Sequence, residues 1–147
     1  MSVDTCILDN ILYVRWVEPE LGDHDALSRM VHAHCTVHGP LVAVVTILPP
    51  KLRIPPQSFT EAAVASMRRY GDLVGRWFLV VEAEGIRYTV LRCTGVLMTI
   101  LAGLRGRAAV VKSVEHALRE LTGALTRDPK SILRDLQRAG LLLNSAL

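Results

Sequence analysis

The chain has 147 residues, half of them hydrophobic and 21% charged, with ten glycines and seven prolines. This composition excludes a disordered chain, and the length suits one domain that buries a core of its own. The formal net charge of +3 hides an asymmetry, because residues 1–75 carry six basic and eight acidic side chains whereas residues 76–147 carry eleven and six.

The distribution of charge and cysteine predicts the binding partners and the cellular compartment of the protein. Its basic residues are scattered singly and are not interleaved with aromatic side chains, so we expect no nucleic-acid binding. The first ten residues, MSVDTCILDN, are acidic where an export signal is basic, and apolar runs such as Cys93–Leu104 are shorter than the about 20 residues of a membrane span. Cys6, Cys35 and Cys93 are odd in number and lack CxxC spacing. We therefore expect a cytoplasmic protein without stable membrane insertion.

The first part of the chain predicts a hairpin, a helix and a buried strand. Thr5–Ile7 and Ile11–Val17 are short apolar runs on either side of a turn at residues 8–10. Asp23 is placed to cap a helix that ends at Gly39, and one side of this helix carries Leu27, Met30, Val31, His34 and His38. Leu41–Leu48 is a continuous apolar run of strand length, typical of a strand buried on both faces.

The second part alternates helices and strands. Ser58 opens a Ser-x-x-Glu capping box, which predicts that its hydroxyl caps a helix running to Tyr70. A second buried strand follows at Arg76–Val81. The patterns then predict a helix over residues 86–104, a strand over 108–111, a helix over 113–125 and a last helix over 128–143 with Asp128 as its cap. The order ββαβαβαβα plus one helix predicts an α/β protein with parallel strand pairing.

This order, the opening hairpin and residues 75–97 (GRWFLVVEAEGIRYTVLRCTGVL), in which a buried strand ends in a small acidic loop before an apolar helix, resemble the STAS-like family. That family has the fold of the cytoplasmic domains of sulfate transporters and of anti-sigma-factor antagonists, and the branch in question is the bacterial one related to CRAL-TRIO lipid-transfer domains. The resemblance covers residues 8–122. It implies a four- to five-stranded mixed sheet with helices mainly on one face, no enzymatic activity, and work through protein partners or a small apolar ligand.

The same resemblance implies a phosphorylatable serine at the start of the helix after the third strand. Ser58 occupies this place and Thr60 lies beside it, although the turn lacks the Asp-Ser-Ser-Gly motif of the family. The structural alternative for Ser58 is the helix cap. A phosphate on either hydroxyl would be favourably placed at the helix N-terminus.

A histidine-rich segment offers candidate metal ligands. His34 and His38 share one side of the predicted helix, and Cys35 lies on an adjacent turn. This side is also the apolar side of the helix, and no HExxH or zinc-finger spacing accompanies the histidines. The alternative is a structural role near the helix C-terminus, where a positive charge suits the helix dipole. We predict no metal site, and His34 and His38 are the candidates if a metal is bound.

The third predicted helix has two apolar sides. The side that we expect to cover the sheet consists of Ile86, Val90, Cys93, Leu97, Ile100, Leu101 and Leu104. The side that we predict to be a partner interface consists of Leu91, Gly95, Met98 and Ala102. Small residues and an adaptable methionine suit the close approach of another helix. The alternative is that the last helix of the same chain covers this second side.

The chain thus divides into two predicted regions, a STAS-like domain over residues 1–125 and an amphipathic C-terminal helix over 126–147 that packs on the domain or on a partner. We expect a non-enzymatic regulatory or scaffolding module without a cofactor, which binds a protein partner or forms a homodimer. One alternative is a carrier or sensor of a lipid or another apolar ligand. The other is a metal- or haem-binding protein that uses the segment His32–His38.

Overall fold

The structure is a computed structural model, and it describes residues 3–18, 20–53 and 56–143 of the chain. These residues form five strands and five helices, with single turns of 3₁₀ helix at Gly71–Leu73 and Thr122–Ala124. In chain order the elements are β1 (Val3–Leu8), β2 (Ile11–Trp16), α1 (Leu21–His38), β3 (Leu41–Leu48), α2 (Gln57–Tyr70), β4 (Val74–Val81), α3 (Gly85–Leu101), β5 (Ala108–Val111), α4 (Val114–Glu120) and α5 (Pro129–Arg138).

The strands form one mixed sheet in the order β1-β2-β3-β4-β5. β1 and β2 are antiparallel, and the other three neighbouring pairs are parallel. The turn between β1 and β2 consists of Asp9 and Asn10, whose φ angles of 53° and 59° are typical of the two-residue turns that match the twist of paired strands. The predicted α/β class, with four to five strands and a C-terminal helix, is confirmed.

Helices cover both faces of the sheet. Each parallel connection leads to the adjacent strand, and because such connections are right-handed, α1, α2 and α3 lie on one face. A buried cluster joins that face to its helices and includes Leu12, Val44, Val31 and Phe59. α4 and α5 cover the opposite face through a second cluster, which includes Tyr13, Val45, Leu118 and Leu136. Burial on both faces explains why β3 reads as an uninterrupted apolar run.

The C-terminal helix packs on the sheet of its own chain. Ile132 and Leu136 of α5 are fully buried in the second cluster, and Leu141 beyond the helix is buried with them. The helix ends at Arg138 and not at residue 143, because Gly140 adopts a φ of 82° and the N–H of Leu141 donates to the carbonyl of Leu136 at 3.0 Å.

Of the two predicted aspartate caps, one is right and one is wrong. Asp128 caps α5, since its side chain accepts a hydrogen bond from the N–H of Lys130 at 3.2 Å. Asp23 lies inside the first turn of α1, because the helix begins at Leu21, three residues earlier than a cap at Asp23 requires. Its carboxylate still helps this helix end, because it accepts a hydrogen bond of 2.9 Å from the N–H of Glu20.

The hairpin turn is tied to the start of α5. The Asp9 carboxylate accepts hydrogen bonds from the N–H of Thr126 at 2.7 Å, from the N–H of Arg127 at 3.1 Å and from the Thr126 hydroxyl. Arg127 donates in turn to Asp135 at 2.6 Å. Burial opposes ionisation of Asp9, but the hydrogen bonds and the Arg127 charge outweigh it and hold the pKa of Asp9 below its usual value.

We expect Asp9→Asn to destabilise the protein by about 1 kcal/mol at pH 7, because an amide oxygen accepts these hydrogen bonds less strongly than a carboxylate does. Since the folded-state pKa of Asp9 lies below that of the unfolded chain, its contribution is present above a pH of about 4 and is lost as the pH falls through the folded value. Thermal melts of both proteins between pH 7 and pH 3 should therefore converge at low pH. The exposed Asp72→Asn is the matched control, and a pH-independent difference for Asp9→Asn would contradict the expectation.

Candidate functional site

The rotation of α3 is opposite to the one predicted. Leu91 is 2% exposed, Ala102 is also buried, and Gly95 faces β4, where an added Cβ would lie 2.2 Å from Cδ2 of Leu79. Met98 is half-buried on the same side. The predicted partner interface is therefore wrong, because these small residues allow the close approach of the chain's own sheet and not of another helix.

The side of α3 that we predicted to cover the sheet faces solvent instead. Ile86 is 84% exposed, and Leu97, Ile100 and Leu101 are each about half exposed. Together with exposed Cys93 and half-buried Val90 they form a continuous row, which we call the α3 stripe: Ile86, Val90, Cys93, Leu97, Ile100 and Leu101. Only Leu104, which follows the helix, is buried as predicted.

The α3 stripe contains no charged residue. The two charged residues of the 17-residue helix, Arg87 and Arg92, lie to either side of it. A surface helix of a globular protein normally directs charged and polar residues to solvent, and contiguous exposed apolar rows mark interaction sites. The stripe is thus a candidate interaction surface.

A cavity of about 150 Å³ lies between the sheet and helices α1, α2 and α3. Its walls are almost entirely apolar, and both tryptophans of the chain, Trp16 and Trp77, line it. Two polar atoms of the lining, Nε2 of His24 and Nε1 of Trp77, are buried without a hydrogen-bond partner. The hydroxyls of Ser28 and Ser66 also lie there but bond to one another at 2.7 Å.

An aromatic cluster forms part of the lining of this cavity. The ring of His24 lies 5.2 Å from that of Trp16 and 4.4 Å from that of Phe59, measured between centroids. Burial lowers the pKa of His24 and outweighs the opposing effect of the carboxylates of Asp23 and Asp25. His24 is therefore neutral at pH 7. Sequence reasoning missed this residue as a candidate for ligand binding because its neighbours come from distant parts of the chain.

The histidine-rich segment has structural contacts. The rings of His34 and His38 are adjacent, with centroids 4.7 Å apart, as the predicted helix requires. His34 Nε2 is hydrogen-bonded to Oδ1 of Asn10 at 2.7 Å, and Asn10 donates to the carbonyl of Pro40 at 2.9 Å. These bonds join the end of α1 to the hairpin turn. Burial lowers the pKa of His34, and the neighbouring His38 lowers it further. Within the described ranges, no group of three or more His, Cys, Asp or Glu side chains is placed to hold a metal ion.

The predicted cap at Ser58 is wrong. α2 begins at Gln57, and the carbonyl of Pro56 accepts the first helical hydrogen bonds from the N–H groups of Phe59 and Thr60, at 3.0 and 3.2 Å. Ser58 is exposed in the first turn of α2, and Thr60 is half-buried. The two candidate phosphosites therefore lie at a helix N-terminus, as the sequence suggested.

One partly buried ion pair was not predicted. Arg15 of β2 is 5% exposed, and its Nη1 donates to Oε1 of Glu82 at 2.8 Å and to the carbonyl of Leu141 at 3.2 Å. Arg15 alternates with Ile11 and Tyr13 on the face covered by α4 and α5. An arginine in a buried alternating position is the sequence signal that could have indicated a paired charge. The pair joins β2, the end of β4 and the C-terminal segment, and we assign it a structural role.

We expect Glu82→Gln to lower the free energy of unfolding by about 1–2 kcal/mol, because it leaves the Arg15 charge buried beside a neutral group. Arg15→Met keeps the apolar stem and removes the charge, so its cost should be smaller. Urea unfolding of the two variants tests this order of stability. A larger loss for Arg15→Met than for Glu82→Gln would show that the hydrogen bond to Leu141 matters more than the ion pair.

In comparisons with known proteins, the sequence matches no family model and no curated protein. Among the described residues, none of the helices combines the length and the apolar character that crossing a membrane requires.

Proposed function

We propose that this protein is a non-enzymatic interaction module of STAS-like type that forms a homodimer through the α3 stripe. The observation that carries the proposal is a row of six apolar or sulfur-containing side chains on the solvent side of α3, uninterrupted by charge. Leaving such a row in water is unfavourable by about 25 cal/mol for each Å² of apolar surface, so an occupant that covers it gains free energy.

The charges at the two ends of α3 favour a second copy as that occupant. Glu84 precedes the helix and Arg105 follows it, and both are exposed. In an antiparallel pair of α3 helices, Glu84 of one copy lies near Arg105 of the other, and the same contact is repeated about the two-fold axis. Antiparallel helix dipoles are aligned favourably in the same arrangement. Cys93, near the middle of the stripe, lies close to that axis.

Leu97→Glu should convert the homodimer into a monomer, because it places an uncompensated charge from each copy in the apolar contact. Light scattering after size exclusion should give twice the chain mass of 16.2 kDa for the wild type and the single chain mass for the variant. Val37→Glu is the matched control, since Val37 is equally apolar and is 76% exposed on α1, outside the stripe.

A short bifunctional maleimide should join two wild-type chains through Cys93 and should fail to join Cys93→Ser chains. A wild type that is monomeric at all concentrations would refute self-association. A Leu97→Glu variant that remains folded and dimeric would show that the interface lies elsewhere.

The orientation of the pair is tested by charge reversal. Glu84→Arg should weaken dimerisation several-fold at low salt, because it opposes Arg105 with a like charge twice in each dimer. Combining Glu84→Arg with Arg105→Glu should restore the wild-type dissociation constant in sedimentation experiments. If the double variant is weaker than either single variant, the helices do not pair in the antiparallel orientation.

We place the module in the bacterial cytoplasm, as the STAS-like resemblance implies. The free thiols of Cys6, Cys35 and Cys93 suit a reducing compartment. Ser58, exposed in the first turn of α2, stays the candidate regulatory phosphosite, with Thr60 beside it. A protein partner other than a second copy would use the same stripe.

A second candidate function is the binding of a small apolar ligand, which the cavity under α1, α2 and α3 specifically favours. Its volume of about 150 Å³ is smaller than the roughly 300–1,000 Å³ of most ligand sites. A whole lipid therefore exceeds the cavity, and a carrier or sensor function would concern a compact molecule. Among the described residues, no group of three or more His, Cys, Asp or Glu side chains supports the metal alternative.

A further inference from the structure

The two unpartnered polar atoms of the cavity limit the chemistry of its ligand. An indole Nε1–H can only donate a hydrogen bond, so Trp77 requires an acceptor. His24 is neutral, and its Nε2 can donate or accept according to the tautomer. A buried polar atom without a partner is costly, and most such atoms in native proteins are satisfied. A purely apolar ligand would leave both atoms unsatisfied, whereas a ligand with one acceptor would satisfy one of them.

The positions of these atoms indicate how a ligand would lie. Trp77 is in register with Val44 of β3, and Val44 with Leu12 of β2. Trp16, against which His24 packs, is four residues further along β2, roughly 13 Å at the rise of a strand. Trp77 and the aromatic neighbours of His24 are therefore attached at different positions along the sheet, so a compact ligand would bond to one of the two polar atoms. A ligand with one polar group and an apolar body matches this distribution.

The size of the cavity indicates a single ring. Apolar cavities of about 150 Å³ hold a molecule the size of benzene. The walls contribute the aromatic side chains of Trp16, Phe59, Tyr70 and Trp77, which contact a ring through edge-to-face and offset geometries.

We propose that the cavity binds a compact cyclic molecule that carries a hydrogen-bond acceptor such as a carbonyl, and that Trp77 Nε1–H or His24 Nε2 orients it. This inference rests on the second candidate function above and is independent of the homodimer. It names the ligand by its chemistry: one ring, one acceptor and no charge.

The test compares two probes of nearly equal shape, acetophenone with its carbonyl and ethylbenzene without one. Titration calorimetry of the full chain should give a dissociation constant for acetophenone about fivefold lower than for ethylbenzene, the effect of one net hydrogen bond. Because both tryptophans line the cavity, each probe should also change the intrinsic fluorescence.

Three variants locate the hydrogen bond. Trp77→Phe removes the indole Nε1–H and His24→Phe removes both ring nitrogens, each while keeping an aromatic ring. One of the two variants should abolish the preference for acetophenone without weakening the binding of ethylbenzene. Tyr13→Phe is the matched control, because Tyr13 also has a buried, unpartnered polar atom but lies on the other face of the sheet, outside the cavity. It should leave both dissociation constants unchanged.

The outcomes distinguish a failure of ligand binding from a failure of the proposed polar contact. If neither probe binds at its solubility limit, ligand binding and the inference both fail. If both probes bind equally, or if the preference survives in Trp77→Phe and in His24→Phe, the cavity accepts ligands but the assigned polar contact is wrong. If one variant fails to fold, the wild-type comparison and the other variant still test the proposed hydrogen bond.

Discussion

Gly95 allows α3 to approach β4 so closely that a Cβ at this position would collide with Leu79. A glycine inside a helix costs about 1 kcal/mol relative to alanine, and here the packing that it permits offsets that cost. The contact also favours the observed rotation of α3 about its axis, because another rotation would bring a larger side chain against Leu79. Leu91 and Ala102 therefore face inward, and the α3 stripe faces solvent. Both surfaces to which we assign a function depend on this one orientation.

The two faces of the sheet are packed with different side chains. On the face covered by α4 and α5, large residues such as Tyr13, Leu118, Ile132 and Leu136 are fully buried. On the opposite face, small residues from separate elements line the cavity, namely Ala63, Ser66, Gly95 and Ala108. Protein interiors are close-packed, so small residues that meet across a layer leave a space that their neighbours cannot fill without strain. The cavity thus results from small residues that lie opposite one another across the layer.

The strands could be predicted from the sequence because an apolar run between turn residues has few other solutions. Leu41–Leu48 and Ala108–Val111 are strands with the predicted bounds. The rotation of α3 could not be predicted in this way, since both of its sides are apolar and the side richer in leucine and isoleucine is the exposed one. The rotation of α3 depends on the contact of Gly95 with Leu79, a residue of β4. The cavity could not be predicted from the sequence either, because His24 and Trp77 resemble ordinary core residues when each segment is considered alone.

α3 connects the proposed interface with the proposed ligand site. Its outer side carries the stripe, and its inner side, through Leu91, Gly95 and Met98, lines the cavity. A ligand that changed the position of α3 would change the affinity of one copy for another, and dimerisation would change ligand affinity by the same factor. A ligand that fits the cavity without moving α3 would have no such effect, because only a difference in affinity between two states can shift their balance. The close packing of the inner side of α3 on β4 at Gly95 favours the second case, so the two surfaces of α3 are expected to act independently.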